Sequence, residues 1–411
     1  MSEGERETIA ARAGLGRPSG DVDAGIDLIA PPSLGSVRAY ADLSSLQAGM
    51  ETREAYRRYG SQSVALLEEA LAQLETPGGG EQPLARATSS GQAALLTALT
   101  LVVTGSRKRV VVVRPCYGST DALVAGPLGN LGVQLTGVDL PLPGSEADGE
   151  HAQRVEHVMG EDVAAVVAEV ITNPLVGVVD IPAIAAVAHR HRAALIVDAT
   201  FATPFLFRPF EHGADVVFHS LTKHLSGHSD VLGGVVLARA DHPAGNWLDG
   251  FTRLLGCGLA PFDAWLALRG MRTAALRIER GSANAAALAM FFSAHERVQA
   301  VHYPGARGGC DAELATRLLP FGRGPMLSIE LRGGYEAADA FVRQLRGVRL
   351  APSLGDVATT VTHPASSSHR SLSREHRAML GIGDGLVRIS TGIEPVAQLQ
   401  EEFDVALGGT M

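Results

Sequence analysis

The chain predicts an α/β fold: a large, mostly parallel sheet with helices on both faces, followed by a smaller α+β domain. Three observations carry this expectation. From about residue 64 to residue 237, short apolar runs alternate with helical patterns, the rhythm of parallel strands joined by crossover helices. Two of those runs lead into ionisable residues, Asp198 and Lys223, on the side where open α/β sheets bind ligands. Beyond residue 248 the pattern changes to a long helical stretch and then to a shorter alternation of strands and helices.

Residues 1–63 are rich in Gly, Pro and Ser and read as an extended arm with short turns, ending in Tyr56-Arg57-Arg58-Tyr59-Gly60-Ser61-Gln62-Ser63. Residues 64–75 form a helix, because Leu66, Leu67, Leu71 and Leu74 recur at helical spacing. Pro77-Gly78-Gly79-Gly80 breaks it. A small polar run, 85–92, precedes an apolar helix over 93–103. Its Ser89-Ser90-Gly91 puts free N–H groups at a helix N-terminus, an anion site, or is a plain serine cap; taken alone, the cap is the simpler reading. Residues 109–113 form a buried strand that leads into Arg114-Pro115-Cys116-Tyr117-Gly118. A short strand covers 133–138, and a second buried one, 164–169, ends in Glu169-Val170-Ile171-Thr172-Asn173-Pro174. Between them, residues 141–160 are acidic and Gly-containing and read as a surface excursion.

A helix over 181–192 precedes strands 194–197 and 214–218, and residues 233–237 form the next apolar run. Residues 248–295 are helical, and the Ala-rich part, 274–295, is long enough to connect two domains. Strands 326–331, 348–351 and 386–390 alternate with helices 335–345, 374–379 and one from residue 395. The expected divisions are an arm (1–63), an α/β domain (64–260) and an α+β domain (261–411).

The composition excludes some classes of function. A chain of 411 residues with 46% hydrophobic and 19% charged residues has material for two or three cores. Its net charge of -9 argues against nucleic acid or an anionic membrane as the main partner. No apolar run approaches the roughly 18 residues of a membrane span. The polar N-terminus lacks a signal-peptide core, so the expected location is cytoplasmic. Cys116, Cys257 and Cys310 have neither metal spacing nor the pattern of a disulfide framework.

Lysine is scarce: Lys108, in a basic run before a strand, and Lys223, among hydroxyls and small residues, are the two in the chain. An amine nucleophile therefore has one plausible source, Lys223. A ligand with an aldehyde, a basic ring nitrogen and a phosphate needs more than an amine. Asp198 is placed to keep the ring nitrogen protonated, and Tyr117 to stack on the ring. Gly91, Gln92, Ser220 and Thr222 are placed to hold the phosphate. That ligand is pyridoxal 5'-phosphate. Each residue has a structural alternative, as a cap, a core aromatic or a turn former, but four strand ends of one sheet carry matching parts together. His219, His224 and His228 have spacings of five and four that differ from HExxH, with no acidic base between them, so no metal is expected.

The longest motifs are VDATFATP at 197–204, HSLTKHLSGHSD at 219–230, Thr172-Asn173-Pro174, GLAPFDAWLALRGMRT, SLGDVATTVTHPAS and DGLVRISTGIE. With these runs in order, the chain from about residue 50 resembles the cysteine/methionine-metabolism family of pyridoxal-phosphate enzymes. That family includes cystathionine γ-synthase, cystathionine γ- and β-lyases, methionine γ-lyase and O-acetylhomoserine sulfhydrylase. The resemblance implies an aspartate-aminotransferase-like fold (fold type I) and a homotetramer built as a dimer of dimers. It implies that Lys223 holds the cofactor as a Schiff base and then moves protons, that Tyr117 stacks and assists proton transfer, and that Asp198 pairs with the ring nitrogen. Tyr56 and Arg58 from the neighbouring subunit would join the phosphate site. Arg388 would clamp the substrate α-carboxylate, with Ser353 and Asn173 nearby, a task suited to a bidentate guanidinium.

The implied activity is γ-elimination from an L-amino acid of the methionine or homoserine-derivative type. The close alternative is γ-replacement, as in a synthase or sulfhydrylase. A catalytically silent assembly protein is the reading from another class, and the intact Lys223, Asp198, Tyr117 and Arg388 argue against it. Some positions depart from the family pattern. Ser61-Gln62-Ser63 stand where Asn-Pro-Thr is usual, Gln92 replaces a Met, and Ala358 replaces a Glu common in members that handle cystathionine. A pocket without that anion is less suited to a distal ammonium, and the changes together fit a specialised substrate of secondary metabolism.

Overall fold

The computed structural model describes residues 3–15, 28–76, 78, 80–142, 145, 150–306 and 309–408. Its larger sheet has seven strands in the order β1 (Leu84–Thr88), β7 (Gly234–Ala238), β6 (Val216–Ser220), β5 (Ala194–Asp198), β4 (Val163–Glu169), β2 (Arg109–Arg114) and β3 (Gln134–Asp139). Strands β3, β2, β4, β5 and β6 run parallel, and β7 is antiparallel to both β6 and β1. The valine run of β2 shows why its sequence is uniformly apolar. Val110 and Val112 enter the core on one face of the sheet, Val111 and Val113 the core on the other.

The smaller sheet has five strands in the order β10 (Arg349–Leu350), β11 (Thr360–Thr362), β12 (Leu386–Ser390), β9 (Met326–Leu331) and β8 (Val298–His302). Its pairs are antiparallel except β10 with β11. Here the strands alternate. Leu327, Ile329, Val387 and Ile389 face a core closed by Leu288, Phe292, Phe341 and Phe403. Ser328 and Arg388 take the opposite face. The long helix Ala274–Ser293 bridges the two cores, giving Ile278 to the large one and Leu288 and Phe292 to the small one.

Some elements differ from the sequence expectation. Residues 1–63 contain helices Glu3–Ala11 and Leu43–Glu51 as well as turns, and Ala10 and Ala13 pack into the large core. Strand β1 falls in the run read as polar, where Arg86 breaks the apolar pattern; that arginine is satisfied by Asp249 at 3.0 Å. The stretch 141–160 lies partly outside the described residues, as does the break at 77–80; within the former, helix His151–Val158 packs His151 and Val155 inward. Strands β8 and β11 and helix Gly309–Leu318 are further additions.

Candidate active site

The parallel strands end together, and their ends form the floor of a cavity of about 490 Å³. In register, Glu169 of β4 lies beside Asp198 of β5, and Asp198 beside Phe218 of β6. The chain leaves β6 at Ser220 and turns, with Lys223 N donating to Ser220 O at 3.2 Å and Gly227 N to Lys223 O at 2.9 Å. Arg277 of the long helix latches this turn: its guanidinium donates to His224 O at 2.7 Å, Leu225 O at 3.1 Å and Gly270 O at 2.8 Å. Gly227 has a φ of +72°, and any Cβ there would overlap that guanidinium.

Gly91, Gln92, Tyr117, Asn173, Asp198, Ser220, Thr222, Lys223, Ser353 and Arg388 all line the cavity. Lys223 Nζ donates to Ser353 Oγ at 2.9 Å, and among the described residues no carboxylate pairs with it. Burial, with the nearby Arg388 charge as the second cause, lowers its pKa to about 8. Asp198 accepts from Thr200 N at 2.8 Å and has no lysine or arginine partner among the described residues. Burial pushes its carboxyl above the usual range, against the Thr200 hydrogen bonds.

Arg388, from the face of β12, is buried; it donates to Asn173 Oδ1 at 2.7 Å and Ser353 O at 3.3 Å. Burial lowers its pKa to about 10, so it stays a cation at neutral pH. Ser90 does cap the helix Gly91–Val102, accepting from Ala93 N at 3.1 Å. The first-turn N–H groups of Gly91 and Gln92 have no partner within that helix. The helix start and the Ser220 turn approach closely at Gly91, where a Cβ would lie 3.0 Å from Ser220 Cβ. Thr222 Oγ1 also accepts from Gly233 N at 3.1 Å.

This set fits pyridoxal phosphate on its own chemistry. It offers a desolvated amine, a half-buried carboxyl lacking a cation, an aromatic ring at Tyr117, and helix N–H groups beside hydroxyls for an anion. Tyr56 and Arg58 stand apart from it. Tyr56 is exposed, and Arg58 donates to Arg253 O at 3.0 Å with its guanidinium 5.2 Å from the Tyr59 ring centroid. The three histidines of the 219–228 run diverge: His219 bonds Glu75 at 2.7 Å in the core, His224 is buried, and His228 bonds Ser226 O at 2.6 Å.

Glu169 is the residue that sequence reasoning passed over. Its carboxylate accepts from Tyr117 N at 2.6 Å and Asn173 N at 2.7 Å, tying together two pocket-lining segments. Burial, then the neighbouring Asp198 charge, raises its pKa well above the ordinary value. The available signal was that Glu169 ends its strand as Asp198 does. The rim segment 367–371 also went unread; His369 pins it by a 2.9 Å bond to Cys116 O.

Comparison with known proteins agrees with this geometry. The chain is similar to the L-methionine γ-lyase of Porphyromonas gingivalis, 37% identical over 86% of this chain and 84% of that one. It is similar to the O-succinylhomoserine sulfhydrylase of Pseudomonas aeruginosa, 37% identical over 97% of this chain and 94% of that one. Among solved structures, a putative O-acetylhomoserine (thiol)-lyase from Campylobacter jejuni, carrying a pyridoxyl-lysine phosphate, superposes with a TM-score of 0.87 at 28% identity, over 98% of this chain and all of that one. The family model matches residues 29–408, and the chain belongs to the Cys/Met metabolism family of PLP-dependent enzymes.

Proposed function

We propose that the protein is a lyase that removes a leaving group from Cγ of an L-amino acid of the methionine or homoserine-derivative type, releasing a 2-oxo acid and ammonia. One observation supports this best. A single cavity holds a desolvated amine and a buried guanidinium, Lys223 and Arg388, and among the described residues neither forms a salt bridge with a carboxylate. Lys223 would hold the cofactor, Asp198 would face its ring nitrogen and Tyr117 its ring. Gly91, Gln92, Ser220 and Thr222 would take its phosphate. When bound, pyridoxal phosphate supplies an electron sink that acidifies Cα and then Cβ of the amino acid.

The chain's own residues do the rest. Arg388, steadied by Asn173 and Ser353, binds the α-carboxylate and fixes which face of Cα meets Lys223. Lys223 Nζ, whose pKa of about 8 leaves part of it neutral near pH 7, would take the Cα proton, hand it on to the bound cofactor, and so be neutral again to take one from Cβ. Tyr117 gives a proton to the group departing from Cγ. With methionine and water the products balance as methanethiol, 2-oxobutanoate and ammonium.

The second reading is γ-replacement, favoured by the sulfhydrylase relative that aligns over 97% of the chain. One assay separates the two: the γ-substituted amino acid is supplied with and without a thiol, and 2-oxo acid is followed. Equal oxo acid in both arms supports the lyase, and a thioether amino acid formed with the thiol, with little oxo acid in either arm, decides for replacement. We read the working form as a cytoplasmic homotetramer, a dimer of dimers, with Tyr56 and Arg58 serving a neighbour's phosphate site. In support, Leu34, Val37, Leu43, Trp247 and Leu254 are exposed apolar residues on the chain. Sedimentation as a monomer would refute the assembly.

A further inference from the structure

Lys223 and Arg388 account for two of the cations that line the cavity. A third, Arg370, also lines it. Arg388 is 3% exposed and lies deep, whereas Arg370 is exposed and lies at the mouth. Among the described residues the Arg370 guanidinium has one hydrogen bond, a long one of 3.4 Å to Ser367 O, and no carboxylate partner.

The segment that carries it is held firmly. His369 is buried, with its ring 2.9 Å from Cys116 O and 2.9 Å from Ser368 Oγ. Leu372 N donates to His369 O at 3.2 Å. Position 118 must be glycine for this approach, because a Cβ there would overlap Ser368 O. The rim is thus pressed onto the end of β2 where Tyr117 sits. Ser119, Ser367 and Ser371 line the cavity near it, as does the exposed Leu232, while the acids that line the cavity, Glu169 and Asp198, end strands of the floor.

We propose that Arg370 is a specificity-determining residue, which selects substrates whose γ-substituent ends in an anion, such as the free carboxylate of a dicarboxylic acyl group esterified to the γ-oxygen. This rests on the reading of the cavity as one for a γ-substituted L-amino acid. With the α-carboxylate on Arg388 at depth, the substituent on Cγ extends toward the open side. There a guanidinium offers a carboxylate two parallel N–H groups. A neutral terminus gains nothing from it, and an ammonium is repelled. Because Arg370 is exposed, solvent and salt weaken the attraction, and the discrimination is roughly tenfold rather than absolute.

The test compares O-succinyl-L-homoserine with O-acetyl-L-homoserine, which share the γ-ester oxygen and differ in the terminal carboxylate. The holoenzyme is assayed for kcat/KM by oxo acid release and for Kd by the change in cofactor absorbance. The wild type prefers the succinyl ester. Arg370→Gln lowers the succinyl-to-acetyl ratio roughly tenfold, Arg370→Lys recovers part of it, and added salt shrinks the wild-type ratio more than the Gln variant's. A ratio in Arg370→Gln within about twofold of wild type, a wild-type preference for the acetyl ester, or no spectral response to either ester overturns the proposal. Oxo acid from methionine in the same preparation would then show that γ-elimination survives that failure. If no amino acid yields oxo acid, yet the Kd of the succinyl ester still depends on residue 370, the anion subsite stands and the elimination reading falls.

Discussion

The two sheets build the cavity in different ways. The seven-stranded sheet contributes from its edge: Glu169, Asp198 and Ser220 each close a parallel strand, and Tyr117 and Lys223 follow such ends. Both of its faces are taken up by apolar packing. The five-stranded sheet contributes from a face. Arg388 sits in mid-strand between Val387 and Ile389, which point into the core, and its cross-strand partners are Ser328 and Thr362. A group at a strand end is carried by a turn and is free to react. A group on a face is hemmed in by neighbouring strands and suits recognition of a fixed shape.

That contrast predicts unequal mutants. Lys223→Ala removes the reactive end group and should lower kcat/KM by roughly 10²–10⁴-fold with little change in thermal midpoint. Oxo acid release at a near wild-type rate would show that the edge does not supply the proton carrier. Arg388→Ala removes the face group and leaves Asn173 Oδ1 without its 2.7 Å donor. It should raise KM and lower kcat/KM roughly 10–100-fold, with a measurable loss of stability because the site is buried. An unchanged KM would take the α-carboxylate away from Arg388.

The smallest effect joins the two sheets. Covalent uptake of the cofactor by the apo-protein needs the neutral amine. With Lys223 held at about 8, the uptake rate should climb about tenfold per pH unit below that value and level off above it. Arg388 is the second cause of the lowering. Its removal favours the protonated amine, so in Arg388→Ala the levelling point should move up, toward the ordinary 10.5. A curve that stays in place or moves down would mean that the face does not influence the edge.

The same contrast governed what could be read from the sequence. An apolar run that stops at an ionisable residue stands out, so β4, β5 and their terminal acids were legible, and Lys223 stood out by scarcity. A face position does not stand out. Val387-Arg388-Ile389 is the pattern of any half-solvated strand, so the family resemblance singles out Arg388 where periodicity does not. Strand β1 escaped because Arg86 interrupts it, satisfied by partners distant in sequence. Strand β11, three residues long, is too short for a periodic signal. Glu169 was seen as a strand end but not as a tie between Tyr117 and Asn173, since those bonds depend on how two turns meet in space.

The latch made by Arg277 carries a mechanical consequence. Its helix is rooted in both cores while its guanidinium grips the carbonyls just after Lys223. A tilt of the smaller sheet would therefore be passed through this helix to the turn that carries Lys223.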